Sequence, residues 1–217
     1  MLQADLQMTP SETYKQNRYR SIDQSWVNQH EKHLVEHLLS LYNLSGATVL
    51  DAPCGYGRFF PLYKHFGMPT TGVDLNLDMT QLARQMSPWL NRQQILHGDV
   101  LNLPFASETF DIVICIRLLH HTFHESERRQ LFMELARVSH RYVLISYYHF
   151  DWLHAWSCLW RWRRKGRVPA ILNEDTFNEL TRVNNLEILS THSLLRYGHM
   201  QTFSMLEKAE TMKIIQT

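Results

Sequence analysis

Three apolar stretches that each end in an aspartate constrain this chain more than any other feature. The first, Val49-Leu50-Asp51, runs straight into Ala52-Pro53-Cys54-Gly55-Tyr56-Gly57. The second closes on Thr71-Gly72-Val73-Asp74-Leu75, and the third, Gln94-Ile95-Leu96-His97, on Gly98-Asp99-Val100. The aspartates lie about 25 residues apart, one strand–helix–strand step each. A fourth apolar stretch, Phe110–Cys115, continues the series. This alternation predicts a parallel sheet with helices on both faces. The glycine turn predicts close approach of main chain to a ligand, because only a residue without Cβ permits it. A helix expected just beyond the turn adds its N-terminal N–H groups. Pro53 requires a negative φ and donates no N–H.

The acids suit a nucleoside. A carboxylate at the end of the second strand can accept hydrogen bonds from two vicinal ribose hydroxyls, each charge-assisted bond contributing roughly 1.5–3 kcal/mol. Asp99 can accept from an exocyclic amine such as that of adenine. Through these residues the chain resembles the class I S-adenosylmethionine-dependent methyltransferases that act on small molecules. Leu103-Pro104-Phe105, the Phe110-Asp111 strand start and the Leu119-His120-His121 strand exit are also similar to that family. The resemblance covers roughly residues 47–147. It implies that Asp51, Ala52, Pro53, Gly55 and Gly57 wrap the methionine part of S-adenosylmethionine, Asp74 with Leu75 the ribose, and Asp99 with Val100 the adenine. It places Arg117 near the adenine, and Arg20 (with Arg18) in an N-terminal segment that pairs with the methionine carboxylate. It also implies a doubly wound, Rossmann-like α/β sheet of seven strands in the order 3-2-1-4-5-7-6, the last antiparallel. One departure stands out: Pro53 occupies the first glycine position of the family's turn.

The chain's 217 residues suffice for one well-filled domain. Residues 1–45 read as an N-terminal helical segment or cap. Its helix, Ser21 to Tyr42, is marked by Trp26, Val27, Leu34, Leu38 and Leu41. Residues 46–217 read as the methyltransferase domain, with a lid insertion at about 149–172. Asn173 can cap a helix running to about Val183. The runs Leu186–Thr191 and Gln201–Leu206 predict an antiparallel pair at a sheet edge. Formal net charge is +1, so no global field selects nucleic acid or membrane. Three scattered cysteines without metal spacing suit a reducing cytoplasm, and no apolar run reaches the length of a membrane span. The expectation is a soluble, cytoplasmic protein with no obligate partner and no metal.

Methyl transfer from a sulfonium is an in-line displacement whose leaving group needs no protonation, and positioning supplies much of its rate. A general base is required only where the acceptor must lose a proton. His120 and His121, at a strand exit, are the candidate bases; the alternative is that they shape the loop and the helix that follows. The His120/His124 and His33/His37 spacings could ligate zinc on a helix, but the first pair straddles a loop and the second lacks an obvious third ligand, so ordinary helix-face histidines are the expectation. Trp152, Trp156 and Trp160 recur every fourth residue, followed by Arg161, Arg163, Arg164, Lys165 and Arg167. They read as an aromatic, basic lid that admits an apolar or anionic acceptor or touches a membrane surface, or else as a stripe packed on the sheet with the arginines solvated at the helix end. One short basic cluster disfavours nucleic acid.

The expected function is methyl transfer to a small or lipid-like acceptor, oxygen or nitrogen before carbon. A nicotinamide-dependent oxidoreductase is the weaker rival, since Phe60 stands where the third glycine of its fingerprint belongs. A non-catalytic relative that keeps the fold for binding or scaffolding is the other.

Overall fold

The computed structural model describes residues 22–122, 124–148, 172–195 and 199–209. The elements are α1 (Ile22–Leu41), β1 (Val49–Asp51), α2 (Phe60–His65), β2 (Thr70–Asp74), α3 (Leu77–Met86), β3 (Ile95–His97), β4 (Phe110–Cys115), α4 (Glu125–Val138), β5 (Ser139–Tyr148), α5 (Glu174–Val183), β6 (Leu186–Leu195) and β7 (His199–Lys208). The seven strands form one sheet in the order β3-β2-β1-β4-β5-β7-β6. β1 to β5 pair in parallel, while β7 runs antiparallel to both β5 and β6. The expected order and the antiparallel last strand are both observed.

Side-chain alternation along the strands explains the two cores. Leu50, Val113, Val143 and Ile145 pack with Leu131, Phe132 and Leu135 of α4 and Phe177 and Leu180 of α5. Their neighbours Val49, Ile112, Ile114 and Leu144 pack instead with Val35, Leu38 and Leu39 of α1 and Phe60 and Tyr63 of α2. Successive residues of a strand point to opposite faces, so a sheet covered on both sides needs apolar residues at every position. Asp111 staples the central pair at its start: its Oδ2 accepts from the Thr48 N–H at 2.8 Å and the Thr48 hydroxyl at 2.7 Å.

Some expectations shift in detail. β3 is three residues long, so Asp99 lies in the turn beyond it. Trp26 and Leu41 of α1 are exposed, and Val35 and Leu39 carry the buried face with Leu38. The terminal strands are longer than expected, ten residues each. The Trp152, Trp156 and Trp160 lid and Arg18 and Arg20 lie outside the described residues. Among the described residues, no helix is long and apolar enough to cross a membrane.

Candidate cofactor and acceptor site

Strand order reverses between β1 and β4, and in open α/β sheets ligands bind at the carboxyl ends on such a switch point. The turn after β1 lies there. Gly55 and Gly57 have φ of +55° and +74°, a left-handed backbone that side chains with Cβ resist. Their roles differ. A Cβ at Gly57 would come within 2.5 Å of the Phe60 ring, whereas one at Gly55 would meet nothing within 4 Å. Gly57 is therefore demanded by packing, and Gly55 leaves its side of the turn open. The Ala52-Pro53 peptide bond is cis. α2 is only six residues long, so its dipole adds little at the turn.

Asp74 joins the turn to the second strand. Its Oδ2 accepts from the Gly55 N–H at 2.7 Å and its Oδ1 from the Asn76 N–H at 2.8 Å. Burial pushes its carboxyl above the usual carboxylate range, and the two backbone donors pull it back. Each carboxylate oxygen has a second acceptor site, so Asp74 can still take two hydroxyls. Beside it, Leu75 is 64% exposed, an apolar surface with no core function. Asp99 accepts from the Leu101 N–H at 2.9 Å through Oδ1, and Val100 next to it is buried. These residues fit a nucleoside: acceptors for ribose and for an amine, with an apolar face beside them.

Asp51 differs sharply from Asp74. It is fully enclosed, and the Tyr63 hydroxyl donates to its Oδ2 at 3.3 Å. Burial pushes its carboxyl up to about 8, with Arg58 and Tyr63 opposing and Asp74 adding repulsion. Asp51 thus keeps its proton near neutrality and acts as a hydrogen-bonded packing group behind the turn.

Glu31 of α1 is a functional candidate that the sequence reading missed. It has no solvent exposure, yet two guanidiniums meet it. Arg117 donates from Nε and Nη2 to its two oxygens, both at 2.7 Å, and Arg58 donates to Oε2. Arg58 also reaches Asn28 Oδ1 at 2.9 Å and lies over the Phe59 ring, 4.3 Å from its centre. Burial raises the Glu31 carboxyl, and the two arginines more than offset it, leaving it below the ordinary range. One signal was available: Glu31 precedes Val35, Leu38 and Leu39 by four, seven and eight residues, which places it on the buried stripe.

At the exit of β4, His120 is buried and His121 is exposed. The His120 ring lies 4.0 Å from that of His121 and 4.6 Å from that of Tyr148, at the end of β5. The structure thus brings together Asp51, the Gly55–Gly57 turn, Asp74 and Arg117, with His120 close to Tyr148. The histidines of α1 are engaged separately. His30 Nδ1 lies 2.9 Å from the Trp26 carbonyl, His33 lies 3.6 Å from Glu36, and the His37 ring meets that of His192 edge-on at 6.3 Å. Among the described residues no three His, Cys, Asp or Glu side chains group as a metal site.

The sheet order, the glycine turn and the acids at the strand ends together define the class I methyltransferase fold. Residues 50–142 match the family model described as a methyltransferase domain. Similar proteins include the tRNA (carboxymethyluridine(34)-5-O)-methyltransferase of Arabidopsis thaliana, 32% identical over 94 residues, 43% of this chain and 22% of that protein. Another is the malonyl-[acyl-carrier protein] O-methyltransferase of Pectobacterium atrosepticum, 38% identical over 78 residues, 36% of this chain and 30% of that protein. Among solved structures, the magnesium protoporphyrin IX methyltransferase of Synechocystis, with bound S-adenosylhomocysteine, aligns with a TM-score of 0.73 at 18% identity, covering 91% of this chain and 93% of that one. That likeness concerns the fold. The matches span less than half the length of these curated relatives.

Proposed function

We propose that this protein transfers a methyl group from S-adenosylmethionine to a small or lipid-like acceptor, with oxygen or nitrogen as the receiving atom. The observation that carries the reading is the Asp74 carboxylate, which ties the Gly55 N–H to the end of β2 beside exposed Leu75. Asp74 would take the ribose, Leu75 and Val100 the faces of the adenine, and Asp99 its amine. The open side of Gly55 would receive the thioether end. When bound, S-adenosylmethionine supplies a methyl group made transferable by its sulfonium. The chain's own contribution is to hold donor and acceptor in line and to keep water out. His120, buried against Tyr148, would take the proton of an acceptor that must lose one.

We propose further that residues 149–172 form the acceptor-side lid, with Trp152, Trp156 and Trp160 on it and the basic run facing an anionic acceptor or a membrane surface. The boundary at residue 45 is proposed as one of role. A net charge of +1 supports a small acceptor over a nucleic acid, although several relatives are named as tRNA methyltransferases. A cytoplasmic location accords with this reading.

Asp74→Ala should weaken S-adenosylhomocysteine binding at least about tenfold by calorimetry, as expected for losing charge-assisted hydrogen bonds. An unchanged dissociation constant would remove the ribose assignment. Transfer of radiolabelled methyl from S-adenosylmethionine to phenols, fatty acids and bulk tRNA in parallel tests the acceptor class. Label entering tRNA alone would overturn the small-acceptor reading. Binding of the cofactor without transfer to any acceptor would favour the scaffold reading.

A further inference from the structure

Asp99 lies in a turn beyond β3, so the strand does not aim its carboxylate. A side chain that selects a ligand group aims only as well as its supports hold it. The Leu101 N–H donates to Asp99 Oδ1 at 2.9 Å, and anchoring one oxygen limits where the other can point. The carbonyl of the same Leu101 accepts from Gln130 Nε2 of α4 at 3.0 Å. Two further side chains of α4 continue the grip. Glu134 Oε2 accepts from the Leu103 N–H at 2.8 Å, and Arg137 donates to the carbonyls of Phe105 at 2.7 Å and Leu103 at 3.0 Å. Gln130, Glu134 and Arg137 are spaced by four and three residues, which is one face of a helix. Their partners, Leu101, Leu103 and Phe105, are alternate residues of the loop, so the chain from Asp99 to Phe105 runs along α4. The three grips differ in kind. Glu134 is buried and meets Arg137 through both oxygens, at 2.7 and 2.8 Å, so removing either partner orphans a charge. Gln130 is neutral and half-buried, and the residue it holds is the one that holds Asp99.

We infer that Gln130 is the positioning residue for adenine selectivity: through the Leu101 peptide it holds the Asp99 carboxylate in line for the exocyclic amine of the cofactor. This role rests on the S-adenosylmethionine reading above, in which Asp99 takes that amine. It gives α4 a part in choosing the base.

The test is calorimetric titration of the full chain with S-adenosylhomocysteine and with its 6-deamino analogue, in which hydrogen replaces the adenine amine. The wild type should favour S-adenosylhomocysteine at least about tenfold, because the analogue forfeits a charge-assisted hydrogen bond. Asp99→Ala should bring that ratio to within about twofold of unity. Gln130→Leu removes the donor, and Gln130→Glu keeps the shape but sets an acceptor against the Leu101 carbonyl. Each should lower the ratio at least about threefold by weakening S-adenosylhomocysteine alone, whereas Gln130→Lys keeps an N–H donor and should preserve it. A purely structural role would weaken both ligands alike and leave the ratio unmoved. Circular dichroism at the titration temperature establishes that each variant is folded. Should Gln130→Glu or Gln130→Leu not fold, the other decides alone. An unchanged ratio in the folded variant, equal loss of both ligands, or a Gln130→Lys variant that behaves as Gln130→Leu overturns the inference. So does a wild type that binds the two ligands equally, with the cofactor reading intact. A wild type that binds neither overturns the cofactor reading itself.

Discussion

Asp51 and Asp74 end adjacent strands, yet their surroundings give them opposite tasks. Asp74 has two backbone N–H partners and reaches the ligand side of the turn. Asp51 has a phenol and enclosure, and its carboxyl titrates at about 8. Its folded pKa lies above its unfolded value, so the folded state holds the extra proton between about pH 4 and pH 8. Stability from this group is complete below about pH 4 and is lost as the pH rises through about 8. Asp51→Asn, which cannot ionise, should be more stable than wild type at pH 8 by at least about 1 kcal/mol, with no such gain at pH 4. Urea midpoints at the two pH values measure this. Gly57→Ala meets both a left-handed φ and the Phe60 ring at 2.5 Å. It should cost about 2 kcal/mol or more in urea unfolding, whereas Gly55→Ala incurs the backbone strain alone and should cost less.

The elements owe their limits to local chemistry where a cap exists and to packing where none does. Asn76 caps α3 by accepting from the Asp78 and Met79 N–H groups, and Asn173 caps α5 by accepting from Thr176 N at 2.8 Å. Both are polar side chains just before a helix, and the α5 cap was legible from its type and position. Asn173→Ala should lower stability by about 1 kcal/mol in thermal or urea unfolding, since the Thr176 N–H loses its side-chain acceptor. The helix itself should persist, because Phe177 and Leu180 remain buried against Tyr147 and Phe132. β3 is the contrary case. An apolar run promised a longer strand, but pairing with β2 ends at His97 and the chain turns, so Asp99 is presented from a loop.

At the scale of the molecule, α1 belongs to the core. Val35, Leu38 and Leu39 are fully buried with Val49, Tyr63 and Leu144, and each such side chain contributes roughly 1.5–3 kcal/mol. Their sum is a large part of the 5–15 kcal/mol typical of a whole domain. Deleting residues 1–45 also leaves Arg58 and Arg117 without Glu31. Residues 46–217 alone should therefore show no cooperative thermal transition by circular dichroism. A sharp transition near that of the full chain would mean that α1 is dispensable to folding.

The sequence by itself determined the parallel sheet, the turn and the acids at the strand ends, because these depend on periodicity, on glycine and on residues adjacent in the chain. The reading of Asp51, Gly55, Gly57 and Asp74 as one locus followed from their place at the ends of neighbouring strands. Only the tertiary structure decided what is charged there and what holds it. Glu31 meets partners 27 and 86 residues away, and its place on the buried stripe of α1 does not say which they are. Likewise, Asp51 keeps its proton because neighbouring elements exclude water from it. Long-range ion pairing is a property of the assembled fold, and no local pattern names the partners.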